Sequence, residues 1–215
     1  MKKKELPIEE ANMKKKKPIS KKTKVPETLN FSQAFKYPFN RAKGMLNILW
    51  ILLPIFGWFA LGGYGVRIIQ EFTKGQFQKL PTFKFSSDMK LGFFMFIKSI
   101  PFIIAYMIVL APLYLMSPWI STPIRIFVEM FMLPILTINF LNKETVSSFF
   151  EFGMVKYVFN NLGDYIIAML KSIGLAIIYF FMIIILVGIP AMAFTQNIFL
   201  ADFYRRNVIV SKDKK

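Results

Sequence analysis

Ser172-Ile173-Gly174-Leu175-Ala176-Ile177-Ile178-Tyr179-Phe180-Phe181-Met182-Ile183-Ile184-Ile185-Leu186-Val187-Gly188-Ile189-Pro190-Ala191-Met192-Ala193-Phe194-Thr195-Gln196-Asn197-Ile198-Phe199-Leu200-Ala201 runs for 30 residues without an Asp, Glu, Lys or Arg. About 20 apolar helical residues cross a hydrocarbon core of roughly 30 Å, so the stretch holds one generous crossing or two short ones joined at Gly188-Ile189-Pro190. Three more charge-free stretches precede it: Gly44 to Val66 (23 residues), Ser99 to Ile124 (26) and Met130 to Asn142 (13). Lysine or arginine lies within five residues of both ends of every stretch. The pattern specifies an all-α, polytopic membrane helical bundle.

Composition narrows the chemistry. The 215 residues are 55% hydrophobic and contain neither cysteine nor histidine, which removes disulfides, thiol catalysis, thiolate or imidazole metal sites and a proton shuttle near neutral pH. No Gly-rich phosphate loop and no intramembrane carboxylate pair appears, so the chain reads as a non-enzyme with no catalytic residue, cofactor or metal. The formal charge is +16, and residues 1–43 hold 13 Lys/Arg against four Glu. Residues 1–28, with Lys14, Lys15, Lys16 and Lys17, read as a disordered Lys-rich cytoplasmic tail, residues 29–207 as a single membrane domain and residues 208–215 as a basic C-terminal tail. The tail lacks the interleaved aromatics of a nucleic-acid binder, leaving anionic lipid headgroups or a membrane protein complex partner as what it would meet.

Phe31, Ala34, Phe35, Pro38, Phe39 and Ala42 recur at helical spacing opposite Ser32, Gln33, Lys36, Asn40 and Lys43, the pattern of an interfacial amphipathic segment that Pro38 should kink or divide. Pro54, Gly57, Gly62, Gly63 and Gly65 interrupt the first apolar stretch, so it is either a kinked span or a hairpin that enters and returns. Arg67 to Lys74 resembles a second interfacial segment, and Ser86 or Ser87 can cap the next helix. If each apolar stretch crossed once, Arg67 to Lys98 would lie outside with six basic residues against two acids. Short translocated loops seldom carry that many, so the preferred arrangement is about four full spans plus a kinked or re-entrant first hairpin, with both termini cytoplasmic at the cell membrane. The pentad Lys36-Tyr37-Pro38-Phe39-Asn40 echoes in Lys156-Tyr157-Val158-Phe159-Asn160, a match short enough to arise by chance in a chain this rich in Lys, Phe and Asn.

Within the apolar regions, Arg125 and Glu129 stand four residues apart on one helix face and form a candidate intramembrane polar pair. Asp164 reads as a helix start, and Asp202 as a local partner of Arg205 and Arg206. Lys36, Arg41, Lys43, Arg67 and Lys74 join the tail lysines as the candidate surface for lipid or a partner.

Phe31-Ser32-Gln33-Ala34-Phe35-Lys36-Tyr37-Pro38-Phe39, Leu53-Pro54-Ile55-Phe56-Gly57, Gly63-Tyr64-Gly65-Val66-Arg67 and Gly75 through Leu80-Pro81 occur in an order and spacing that resembles the prokaryotic integral membrane family called domain of unknown function 4013. Asn161-Leu162-Gly163-Asp164-Tyr165 and Phe203-Tyr204-Arg205 are similar too, so the likeness covers most of residues 30–207. Thr82-Phe83-Lys84-Phe85 departs from the acidic residues and tryptophan that follow Leu-Pro in that family. The resemblance implies a multi-span protein and carries over no catalytic residue. The functional expectation is a scaffold or accessory subunit acting through a basic, aromatic cytoplasmic face; a small transporter using broken helices and Glu129 is the alternative.

Overall fold

The computed structural model describes residues 27–212, all helical or connecting with no strand among them. In chain order the helices are α1 (Phe31–Lys36), α2 (Ala42–Met45), α3 (Phe56–Thr73), α4 (Phe85–Leu110), α5 (Pro118–Phe127), α6 (Leu133–Lys143), α7 (Val146–Phe149), α8 (Val155–Asn160), α9 (Leu162–Phe181), α10 (Gly188–Thr195), α11 (Ile198–Tyr204) and α12 (Val210–Lys212). The expected 1–28 tail falls almost entirely outside the described residues. At its boundary Asn30 caps α1 in a reciprocal capping box with Gln33. Pro38 divides the amphipathic segment, since α1 ends at Lys36 and a 3-10 turn begins at Phe39.

The first apolar stretch is a hairpin. A 3-10 arm over Leu46–Leu52 enters, the chain reverses through Leu53-Pro54-Ile55 with Ile55 at φ 64°, and α3 returns. Gly57 permits the closure, because a methyl there would overlap the Trp50 carbonyl, and the Trp58 indole N–H donates to Ile51 O at 3.0 Å. The stretch from Arg67, expected as a separate interfacial helix, continues α3 to Thr73 without a break. Its residues Ile68, Ile69 and Phe72 are buried against the bundle, which gives the extension its stability.

Antiparallel packing of α3 on α4 comes next. Gly63 and Gly92 face each other so closely that a methyl on Gly63 would overlap the Asp88 carbonyl and one on Gly92 the Phe59 carbonyl. Two backbones meet where two side chains are missing, an arrangement favoured where helices must adhere without a hydrophobic driving force. Neither Ser86 nor Ser87 caps α4. Asp88, in its first turn, instead accepts the Lys84 N–H at 2.7 Å.

Among the described residues three helical stretches are long and apolar enough to cross a membrane: Phe85–Leu113, Pro118–Lys143 and Leu162–Ile185. Three rather than four is a correction to the sequence reading. The return arm of the last hairpin is cut into α10 and α11 by a turn at Gln196-Asn197, so neither piece reaches spanning length. Its tip is tight, with Leu186 at φ 61° and Gly188 pressed on the Tyr179 carbonyl.

The second hairpin runs from α4 into α5 and α6, which are joined by a π-helical turn over Val128–Met132. Pro134 has no N–H to offer the Met130 carbonyl four residues earlier; the Tyr165 hydroxyl of α9 donates to that carbonyl at 2.6 Å. At the opposite end Phe149 of α7 is sandwiched between Phe102 and Phe140, with ring centroids 4.2 and 4.0 Å away. The phenylalanine face of α1, expected to lie on lipid, is partly covered by protein: Phe31 stacks on Phe199, and Phe35 on Tyr179.

Overpacking generally costs about 1–3 kcal/mol. Gly63→Ala and Gly92→Ala should therefore each lower the thermal midpoint in detergent by several degrees, whereas Gly62→Ala, which would meet nothing within 4 Å, should leave it unchanged or raised. Thermal unfolding of the four purified proteins checks this.

Candidate membrane-surface site

Two polar clusters tie the ends of the hairpins together. In the first, Arg67 meets the buried Asp88 through Nε to Oδ1 at 2.6 Å and Nη2 to Oδ2 at 2.8 Å, and Nη2 also donates to Thr82 O. From the same helix, Gln70 donates to Leu141 O and Glu144 Oε1, and Thr73 Oγ1 donates to Asn142 Oδ1 at 2.7 Å. Lys98 extends its amine to Glu144 O at 2.9 Å, at the left-handed residue that ends α6. These contacts lock α3, α4 and α6 together where their loops emerge.

The second cluster centres on Asp202, which is 2% exposed. It accepts from the Leu29 N–H at 3.1 Å, from Arg205 at 2.7 Å and from Arg206 at 2.9 Å. Arg206 reaches on to Asp164 at 2.8 Å, joining α9 to the chain end, and Arg205 lies over the Phe77 ring at 5.1 Å. Between the clusters, buried Asn139 accepts the Tyr204 hydroxyl and donates to Ser148 O, both at 2.7 Å.

Five of the acids are thus occupied internally: Asp88, Asp164, Asp202, Glu144 and Glu151 all accept bonds from the protein's own groups. Meanwhile Lys36, Lys43, Lys74, Lys79, Lys84, Lys90 and Lys156 stand exposed. A surface whose carboxylates point inward keeps an outward excess of positive charge. An open basin of about 450 Å³ lies in it, bounded by Arg41, Glu71, Gln76, Lys79 and Thr82. Burial pushes the Glu71 carboxyl above the usual carboxylate range, against the opposing pull of Arg67 and Lys74. Burial also raises the Tyr37 phenol, whose hydroxyl finds no hydrogen-bond partner among the described residues.

A family model described as "Protein of unknown function (DUF4013)" matches residues 46–188. The chain belongs to this family. The match begins at the 3-10 arm of the first hairpin and ends at Gly188, so within the DUF4013 chain it takes in the α3–α4 glycine contact, the Arg67–Asp88 pair and the π turn. Comparison with curated proteins and with solved structures finds no match.

Of the residues singled out in sequence, Lys36, Lys43 and Lys74 are exposed on this face. Arg41 donates to Leu80 O and to Thr82 Oγ1, and Arg67 is committed to Asp88, so these two position the α3–α4 link. Lys14, Lys15, Lys16 and Lys17 lie outside the described residues. Arg125 and Glu129 come within 3.6 Å, and the Tyr106 hydroxyl donates to Glu129 at 3.4 Å, on the π turn and away from the basic face. Sequence reasoning passed over Asp88, Asn139 and the Leu29 anchor. Asp88 carried a signal, as an acid isolated in a run of lysines.

Removing one partner of a buried ion pair typically costs about 3–5 kcal/mol, because the other charge is stranded. Asp88→Ala should therefore sharply lower the unfolding midpoint, and Asp88→Ala with Arg67→Met should recover part of the loss. Denaturation of the single and double variants in the same detergent measures both.

Proposed function

We propose that this DUF4013 protein is a non-enzymatic multi-pass membrane scaffold or accessory subunit, whose basic cytoplasmic face and N-terminal tail gather anionic lipid or hold a membrane partner. The arrangement comprises a re-entrant first hairpin and two deeper ones, the last returning through the broken α10–α11 arm. One observation carries the reading: apart from Glu71 in the basin, the acids of the face are engaged by internal bonds while its lysines remain exposed. The depth of apolar exposure supports insertion, since Trp119 is 90% and Ile184 86% exposed, and only 17% of the best window in Phe85–Leu113 and in Leu162–Ile185 is buried. Both termini and the Lys79 and Ser148 loops then lie on the cytoplasmic side, with Ser117 outside.

The π turn gives the transporter reading its own support, because π turns recur at functional positions and this one carries Glu129 among apolar residues. Solute flux that disappears in Glu129→Gln would favour it over the scaffold.

Single cysteines introduced at Lys79, Lys156 and Ser117, all exposed, should be labelled from the cytoplasmic side, the cytoplasmic side and the outside respectively; outside labelling at Lys79 rejects this topology. Each lysine near an anionic surface contributes about 1 kcal/mol, roughly fivefold in binding. Deleting residues 1–28, or replacing Lys36, Lys43 and Lys74 by Gln, should therefore deplete anionic phospholipid that copurifies with the protein while leaving insertion intact. Unchanged lipid composition and unchanged partner recovery in both variants would reject the reading.

A further inference from the structure

The return arm of the last hairpin is interrupted at a place where lipid does not tolerate interruption. Leu186, the left-handed residue at the tip, lies ten residues before Gln196, and Arg206, held by Asp164 at the basic end, lies ten residues after it. At 1.5 Å per helical residue each half is about 15 Å long. With the hairpin inserted, as the proposed function has it and as this inference requires, Gln196 and Asn197 lie about 15 Å along the arm from its tip within a core roughly 30 Å thick, and on the α3 side they lie beside Ile68, Ile69 and Leu141.

At that depth Asn197 leaves helical geometry, at φ −121° and ψ 13°, and its side chain makes no capping bond to the first turn of α11. Gln196 is exposed and Asn197 half-buried. An unsatisfied backbone group in hydrocarbon costs several kcal/mol, and irregular backbone persists at membrane depth only when enclosed by protein or wetted by a cavity. Enclosure fails on both sides. A cavity of about 420 Å³ between α9 and α10 is bounded by Ser172, Thr195 and Gln196, and a second of about 180 Å³ between α3 and the break is bounded by Gly65, Gln196 and Asn197. Ala193 and Gln196 line both cavities, so the two adjoin across the broken arm. Gly62 and Gly65 keep the α3 side open, since a methyl on either would meet nothing within 4 Å.

From this geometry we infer that the Gln196-Asn197 break is the polar wall of a water-filled intramembrane cavity that admits small uncharged hydrogen-bonding molecules. The lining fits that class. The amides of Gln196 and Asn197 supply donors and acceptors, the Ser172 and Thr195 hydroxyls donate to Ala168 O and Ala191 O of their own helices and leave only acceptor lone pairs, no lining residue of either cavity is charged, and the remainder is apolar or glycine. The site is separate from the Arg125–Glu129 pair and from the basic face.

Because the chain has no cysteine, reactivity can be read one position at a time in proteoliposomes. Gln196→Cys and Asn197→Cys should react with the small neutral reagent hydroxyethyl methanethiosulfonate at least tenfold faster than Ile184→Cys, which faces lipid. They should also react at least tenfold faster with it than with the bulkier cationic trimethylammonium reagent, after normalisation to Lys79→Cys. Gln196→Leu combined with Asn197→Cys should slow the reaction, the wall having lost its polar lining. Silence of both positions 196 and 197 while Lys79→Cys reacts would overturn the cavity. Equal labelling of Ile184→Cys and Lys79→Cys would instead overturn insertion itself, so the two failures are distinguishable.

Discussion

Asp202 accepts from the Leu29 N–H, Arg205 and Arg206 at once, and an anion buried this deeply persists only because several donors converge on it. Each donor comes with a piece of the fold attached. Leu29 brings the entry to α1, Arg205 brings the α3–α4 link through Phe77, and Arg206 brings the start of α9 through Asp164. The phenylalanine contacts of α1 on Tyr179 and Phe199 are aligned by this anchor together with the Tyr179 hydroxyl, which donates to Phe35 O, and the burial of Leu29. Charge that would otherwise oppose the lysines is thereby kept inside the molecule.

The division of the molecule follows from the same arithmetic of charge and apolar area. Residues such as Ile135, Leu136, Phe199 and Phe203 are buried near the polar clusters, whereas Leu52, Leu115, Trp119 and Ile184 are left bare at the far ends of the hairpins. A water-soluble protein rarely presents so much contiguous apolar surface. The packed half carries the specificity of the fold through glycine contacts, ion pairs and ring stacks, while the bare half carries little beyond length and apolarity.

What could be read in the sequence was whatever acts locally along the chain. Pro54 and the glycines around it announced a kink or reversal near residue 54, Pro38 announced the division of the entry segment, and Asp202 announced its partners three and four residues away. Pairings across distance left no such trace: Arg67 and Asp88 are 21 residues apart, and Leu29 and Asp202 are 173 apart. The fourth span was overcounted for a different reason. Counting charges registers Gln196 and Asn197 as neutral, yet their amides offer donors and acceptors that compete with the helix ladder, and the arm breaks there.

The hydroxyl of Tyr165 and the carbonyl of Met130 carry an implication for biosynthesis. Pro134 leaves that carbonyl short of its helical donor from the moment the second hairpin is made, and the group that supplies the bond is encoded 35 residues further on. That bond therefore forms only after α9 has been translated and has docked beside the π turn. Assembly is in this sense retroactive, with a later segment finishing an earlier one. A chain truncated before Tyr165 would present quality-control machinery with an exposed backbone acceptor inside an apolar helix.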